Sequence, residues 1–219
     1  MLKAYHNDPA IKEVLINQLQ AHYDADEIIK GTYWQDGKGC AVGCSIHSSD
    51  HSLYEKELGL PEWIARVEDR IFEGLPNHLS KEWPLRFSKA VKIGSNIDKI
   101  KIPFLILVVE SVLDKFDHEK FPECKISIEN LLHLLKTNPE NSEDAAWAAA
   151  GADAWAAKAA RAAARASWAS AGAAWAAEAA EASAWAAAWA AGAARAAGDE
   201  ENTYIYFADK LIDLIESCE

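Results

Sequence analysis

Apolar residues recur every three or four positions along most of the first two-thirds of this chain, the spacing of amphipathic helices. Asp8 and Pro9 form a helix start, with a carboxylate at the N-cap and a proline at the first helical position. Ile11, Leu15, Leu19 and Tyr23 then follow at spacing four, and Ile28 and Ile29 extend the predicted helix to Gly31. Gly31 to Gly39 is polar and glycine-rich, carries Tyr33 and Trp34, and reads as a connection. Asp50 is the predicted cap of a short helix that Gly59 ends. Pro61 opens the next helix, with Trp63, Ile64, Val67, Ile71 and Phe72 on one face and Gly74-Leu75-Pro76 as its stop. Ser80 is expected to cap Lys81 to Val91, where Pro84 is accommodated because it lies in the first turn. Pro103 to Phe116 is the most apolar element, hydrophobic all round at its centre, and is predicted as a buried helix. A strand over Ile100 to Val109 is the competing reading, because Ile and Val favour strands. Ser127 caps a last conventional helix, Ile128 to Lys136, and Asn138-Pro139 closes it.

Between Asp144 and Gly198 the pattern changes to alanine, with no Pro, Val, Ile or Leu. Alanine is the strongest helix former and adds almost no bulk, so the large anchors there are Trp147, Trp155, Trp168, Trp175, Trp185 and Trp189. One straight helix over this stretch would run about 80 Å, roughly twice the diameter of a compact chain of this size. A fold-back at Ala171-Gly172 is therefore expected; it would set Arg165 beside Glu178, Arg161 beside Glu181 and Trp168 beside Trp175. Trp147, Trp168, Trp175 and Trp189 share one heptad position, the mark of an apolar seam. Tyr204, Phe207, Leu211, Leu214 and Ile215 then mark a final amphipathic helix. The predicted fold class is all-α: a helical N-terminal part over 1–138, and an antiparallel alanine/tryptophan-rich hairpin with a C-terminal helix over 139–219, forming one compact unit.

Composition narrows the function classes. Half of the 219 residues are hydrophobic, which excludes a disordered chain. The net charge of -12 argues against nucleic acid, whose phosphates call for Lys and Arg. No signal-peptide core opens the sequence, and Arg161, Arg165, Glu178 and Glu181 would be costly inside a bilayer, so a cytoplasmic protein without membrane association is expected. Four cysteines, at 40, 44, 124 and 218, make no disulfide framework in a chain this long.

Candidate chemistry gathers in Asp36-Gly37-Lys38-Gly39-Cys40-Ala41-Val42-Gly43-Cys44, followed by His47 and His51. A helix running from Cys40 would project Cys40, Cys44, His47 and His51 from one stripe. Cys and His are zinc ligands, but the spacing matches no zinc finger, and four positions along one helix cannot surround one ion. A small-residue face for close helix packing is the leading reading, with no metal and no cofactor assigned. Gly37, Lys38 and Gly39 offer a second reading, a glycine loop whose backbone N–H groups and lysine receive a small anion, assisted by Arg66 and Arg70 if the fold brings them near. A thiol nucleophile at Cys40 or Cys44 with His47 or His51 as base is a third, although no orienting group or oxyanion site is visible and no catalytic residue is assigned. The acidic pair Glu68 and Asp69, near Glu73, reads as a solvated helix face.

Gly37 to Cys44, with Ala4 to Lys12 and Phe72 to Pro76, resembles a group of uncharacterised bacterial and bacteriophage proteins over roughly the first 90 residues. The alanine- and tryptophan-rich region is loosely similar to alanine-rich helices in immunity proteins of toxin–immunity systems. The leading expectation is accordingly a non-catalytic binding or inhibitor protein, of the immunity or phage anti-defence type, that occupies a protein partner. The alternatives are a binder of a small anionic ligand such as a signalling nucleotide, through Gly37, Lys38, Gly39 and the cysteines and histidines, and a metal- or thiol-dependent enzyme. Alanine-faced helices could also pair with a second copy of the chain.

Overall fold

The computed structural model of the chain describes residues 1–115, 122–137 and 200–218, and helices dominate them. The fold is all-α apart from one two-stranded antiparallel ladder. The helices are α1 (Pro9–Asp24), α2 (Ala41–Ile46), α3 (Leu53–Leu58), α4 (Glu62–Gly74), α5 (Asn77–Ser80), α6 (Trp83–Ala90), α7 (Lys101–Lys115), α8 (Pro122–Thr137) and α9 (Glu200–Ser217), with 3-10 turns at Ala4–Asn7 and Ile97–Ile100. Strands β1 (Trp34–Gln35) and β2 (Lys38–Gly39) lie between α1 and α2. The expected alanine-rich hairpin, its tryptophans and its bend at Ala171-Gly172 lie outside the described residues.

Local rules set most boundaries. The Asp8 carboxylate accepts the Ala10 N–H at 2.8 Å and Pro9 opens α1, as the sequence predicts. Gly59 ends α3 in the left-handed region with φ 62°, Pro61 precedes α4, and α4 stops at Gly74. The apolar stretch after Pro103 is helical, so the strand reading does not hold.

Several boundaries differ: α8 starts at Pro122, so Ser127 lies inside it rather than capping it, and Ser52 rather than Asp50 takes the N-cap of α3. Helix α1 ends at Asp24 rather than at Gly31, because Asp26 turns the chain at φ 56° and Glu27 to Ile29 become extended. That segment bonds to the hairpin instead: Gly39 N–H donates to the Glu27 carbonyl at 3.1 Å, and Ile29 N–H to the Gly39 carbonyl at 2.8 Å. The Gly31–Gly39 connection contains the hairpin itself, pairing Trp34 with Gly39 and Gln35 with Lys38 around Asp36-Gly37. Both turn residues have positive φ, 52° and 80°, the requirement of the tight turn that Asp-Gly favours. Ser80 is buried and donates to the Asn77 carbonyl rather than capping a helix; α6 starts later, at Trp83, with Pro84 in its first turn.

The chain divides into two compact units, Met1–Lys101 with Ile205–Glu219, and Ile102–Tyr204. In the first, Leu19, Val42, Leu60, Ile64, Val67, Ile71, Phe72, Phe87, Val91, Phe207, Leu211 and Ile215 are fully buried. Helix α9 from Ile205 onward is tied to this unit by Arg86 on Asp209 at 2.7 Å and by the Cys218 thiol donating to the Asn96 carbonyl at 3.1 Å. In the second, α7 buries Phe104, Leu105, Val108 and Val109, α8 buries Ile128, Leu131 and Leu135, and Lys136 pairs with Glu110 at 2.6 Å. Among the described residues no helix is long and apolar enough to cross a membrane.

Candidate functional site

Cys40 occupies the N-cap of α2, where the hairpin hands the chain to the helix, and its Sγ accepts the Gly43 N–H at 3.4 Å. Glycine is required on both sides of it. A Cβ on Gly43 would lie 1.7 Å from the Tyr33 carbonyl oxygen, and one on Gly39 would lie 2.2 Å from the same atom. The backbones of α2 and the hairpin strand therefore press directly together, and this contact seats Cys40 with no exposed surface.

Helix α2 is too short for the predicted stripe. It stops at Ile46, and His47 turns left-handed with φ 51°, so Cys40, Cys44, His47 and His51 do not share a helical face. Instead Cys40 and His51 meet in one cluster, while Cys44 and His47 take separate partners. The Cys44 thiol donates to the Gly39 carbonyl at 3.4 Å, and burial pushes its pKa up to about 12, which makes it a packed, unreactive group. His47 leans toward α1. His51 sits in the loop before α3, where Asp50 accepts from the Ser52 N–H at 3.0 Å and from the Ser52 hydroxyl at 2.7 Å, closing a tight turn around it.

His51 and Cys40 meet a residue that the sequence pattern assigns to solvent. Donor atoms of Cys40, His51 and Asp69 all lie within 4.8 Å of one another. The Glu68–Asp69 pair is thus not a solvated face: Glu68 has no exposed surface and Asp69 is half-buried. A signal for this was present, because Glu68 falls inside the apolar stripe Ile64, Ile71 and Phe72 of α4. Its carboxylate takes the Tyr54 hydroxyl, and burial, with a smaller effect from Asp69, raises its pKa to about 8.

The electrostatics of the Cys40–His51–Asp69 group run one way. Burial first, and the Asp69 carboxylate second, push the Cys40 thiol far up. Burial raises the Asp69 carboxyl and lowers the His51 imidazolium. Each residue is driven toward its neutral form, since removing a charge from water is costly. His51 Nε2 and Asp69 Oδ1 are also buried with no hydrogen-bond partner. Such orphaned groups cost about 1–3 kcal/mol each. The Tyr33 ring lies edge-on against His51 at 5.1 Å and covers one side.

The glycine loop serves the fold. Gly39 N–H is committed to Glu27, Gly37 lies in the hairpin turn, and Lys38 is exposed on β2. Arg66 is held by Glu62 at 2.6 Å on the face of α4 that reaches His51. No protein-family model, curated protein or solved structure matches this chain.

Proposed function

We propose that the Met1–Lys101 unit is a metal-dependent enzyme unit that holds a divalent transition-metal ion of the zinc class on Cys40 Sγ, His51 and Asp69. The observation that carries this reading is the convergence of three chemically different donors, two of them with an orphaned buried atom, within 4.8 Å. Zinc accepts sulfur, nitrogen and oxygen at about 2.0–2.3 Å. A tetrahedral ion spaces such donors roughly 3.3–3.7 Å apart, so side-chain adjustments of about 1 Å close the site. The ion would compensate the burial of all three groups at once, taking the place of the Cys40 thiol proton and using the lone pair of neutral His51.

Three protein ligands leave one position of a tetrahedral ion open, the arrangement of catalytic rather than structural zinc. Held by Cys40, His51 and Asp69, such an ion would acidify a bound water and so would supply hydroxide chemistry without a separate strong base. Nucleophilic catalysis by Cys40 fits less well. A reactive thiolate needs a neighbouring cation, whereas Cys40 faces the Asp69 carboxylate.

The reading is tested by titrating Zn2+ into chelator-treated protein. The tighter-bound ion should enter with release of a proton, because the thiol must ionise to coordinate, and Co2+ in its place should give a thiolate-to-metal charge-transfer band. Both signals should vanish in Cys40→Ser. A proton-releasing, thiolate-banded binding event that survives Cys40→Ser and Asp69→Asn together would overturn the assignment.

A further inference from the structure

The second half of the predicted cysteine–histidine group builds a separate constellation. His47 and His22, which come from the end of α2 and from α1, bring their Nε2 atoms to 2.8 Å from each other. Their rings stand nearly perpendicular, at 88° with centroids 5.0 Å apart. Glu27 Oε2 lies 2.7 Å from His22 Nδ1. Trp34 stacks on His47 at 4.6 Å and 19°, and meets His22 edge-on at 5.6 Å.

The tautomers follow from this chain of contacts. The Glu27 carboxylate accepts the Nδ1 proton of His22, so His22 Nε2 carries a lone pair. His47 Nε2 faces that lone pair and donates its proton to it. Moving the His47 proton from Nε2 to Nδ1, the other neutral tautomer, leaves two imidazole lone pairs aimed at one point. Carboxylate–histidine–metal triads use the same buttress, which fixes the ring and raises its basicity. Side-chain exposure is only 12% at His22, whereas His47 is exposed, so the pair has an anchored member and a solvent-facing one. At bond lengths of 2.0–2.1 Å a tetrahedral ion separates two nitrogens by about 3.3 Å. The rings need open by roughly half an ångström.

We infer that His22 and His47, buttressed by Glu27 and Trp34, form a second, imidazole-only transition-metal site at the protein surface, its remaining positions filled by water. Tyr33 and Trp34 are consecutive, and one ring packs on His51 while the next packs on His47. Two consecutive residues, Tyr33 in the bend before β1 and Trp34 at its start, therefore support both sites.

Calorimetric titration of Zn2+ into chelator-treated full-length protein separates the two sites. The wild type should bind two equivalents, and Cys40→Ser should lose the tighter event while keeping the weaker. His47→Ala, at an exposed position, and His22→Ala should each abolish the weaker event alone. Glu27→Gln should keep that event but weaken it by about 10–100-fold, the usual effect of removing a carboxylate behind a metal-bound histidine. Unchanged stoichiometry in both histidine variants overturns the inference, as does a single event that only Cys40→Ser removes. A single event lost in His47→Ala and retained in Cys40→Ser would support this site and refute the Cys40 centre.

Discussion

Cys40 has no exposed surface and a carboxylate for a neighbour, so its thiol keeps its proton until something stronger than water replaces it. Zn2+ at a hundredfold over the dissociation constant of the Cys40 site should therefore stabilise the wild type by about 2.7 kcal/mol through that site, an increment that Cys40→Ser loses, as read from urea midpoints. Glu68 supports a different prediction, about the fold alone. Burial raises its carboxyl pKa from 4.5 to about 8 in the folded state. The native chain thus holds a proton that the unfolded chain has released, and stability is greatest below the unfolded value. It falls as pH rises from about 5 to 8, by several kcal/mol, since each tenfold difference in proton affinity between the two states is worth about 1.4 kcal/mol. In metal-free protein Glu68→Gln should flatten that slope and be the more stable variant at pH 8. An equal slope in both proteins would show that Glu68 is not the group responsible.

Among elements, α2 approaches the segment leading into the hairpin more closely at Gly43 than any other described glycine approaches its neighbours. Gly43→Ala puts a methyl carbon 1.7 Å from a backbone oxygen that cannot rotate away. Destabilisation at or above the top of the usual range of about 1–3 kcal/mol for overpacking is expected, with weakened Zn2+ binding because Cys40 lies on the same turn. Asp8→Ala makes a useful contrast: it removes only the α1 cap and should cost about 1 kcal/mol, with metal affinity unchanged. Chemical denaturation and zinc titration of the two variants measure both quantities.

For the whole molecule, the first unit is completed by a helix nearly a hundred residues away in the chain. Phe207, Leu211 and Ile215 lie at spacing four on α9 and are fully buried. Leu211→Ala should cost about 2–5 kcal/mol, the range for large-to-small changes in a core. Asp209→Ala breaks only a half-exposed ion pair with Arg86 and should cost under about 1 kcal/mol. Comparable losses in thermal unfolding of the two variants would show that the α9 apolar face does not close this unit.

Helix starts and stops were legible because they follow from local chemistry. Asp8-Pro9, Pro61 and Gly59 act within one turn, whatever the rest of the chain does. The spacing of Trp63, Ile64, Val67, Ile71 and Phe72 likewise told which face of α4 is buried, and all five are. Where two local readings competed, distant partners decided: Ile28 and Ile29 left α1 because Gly39 offered backbone bonds to an extended strand. The candidate sites were half visible. Cys40, Cys44, His47 and His51 attracted notice as a run of ligand-type residues, but His22, Glu27 and Asp69 did not. Glu68 and His22 both sit within apolar stripes, a mismatch that marks a polar group with a buried role.

By itself, then, the sequence determined the helical class, most of the punctuation between helices and the identity of the inward faces, all consequences of backbone preference and periodic burial. The tertiary structure alone decided which thiol meets which imidazole and carboxylate. Periodicity assigns a side chain to a face, but a coordination site requires donors from separate segments to converge within a few ångströms. That convergence was set by the close packing of α2 on the hairpin and by the left-handed turn at His47.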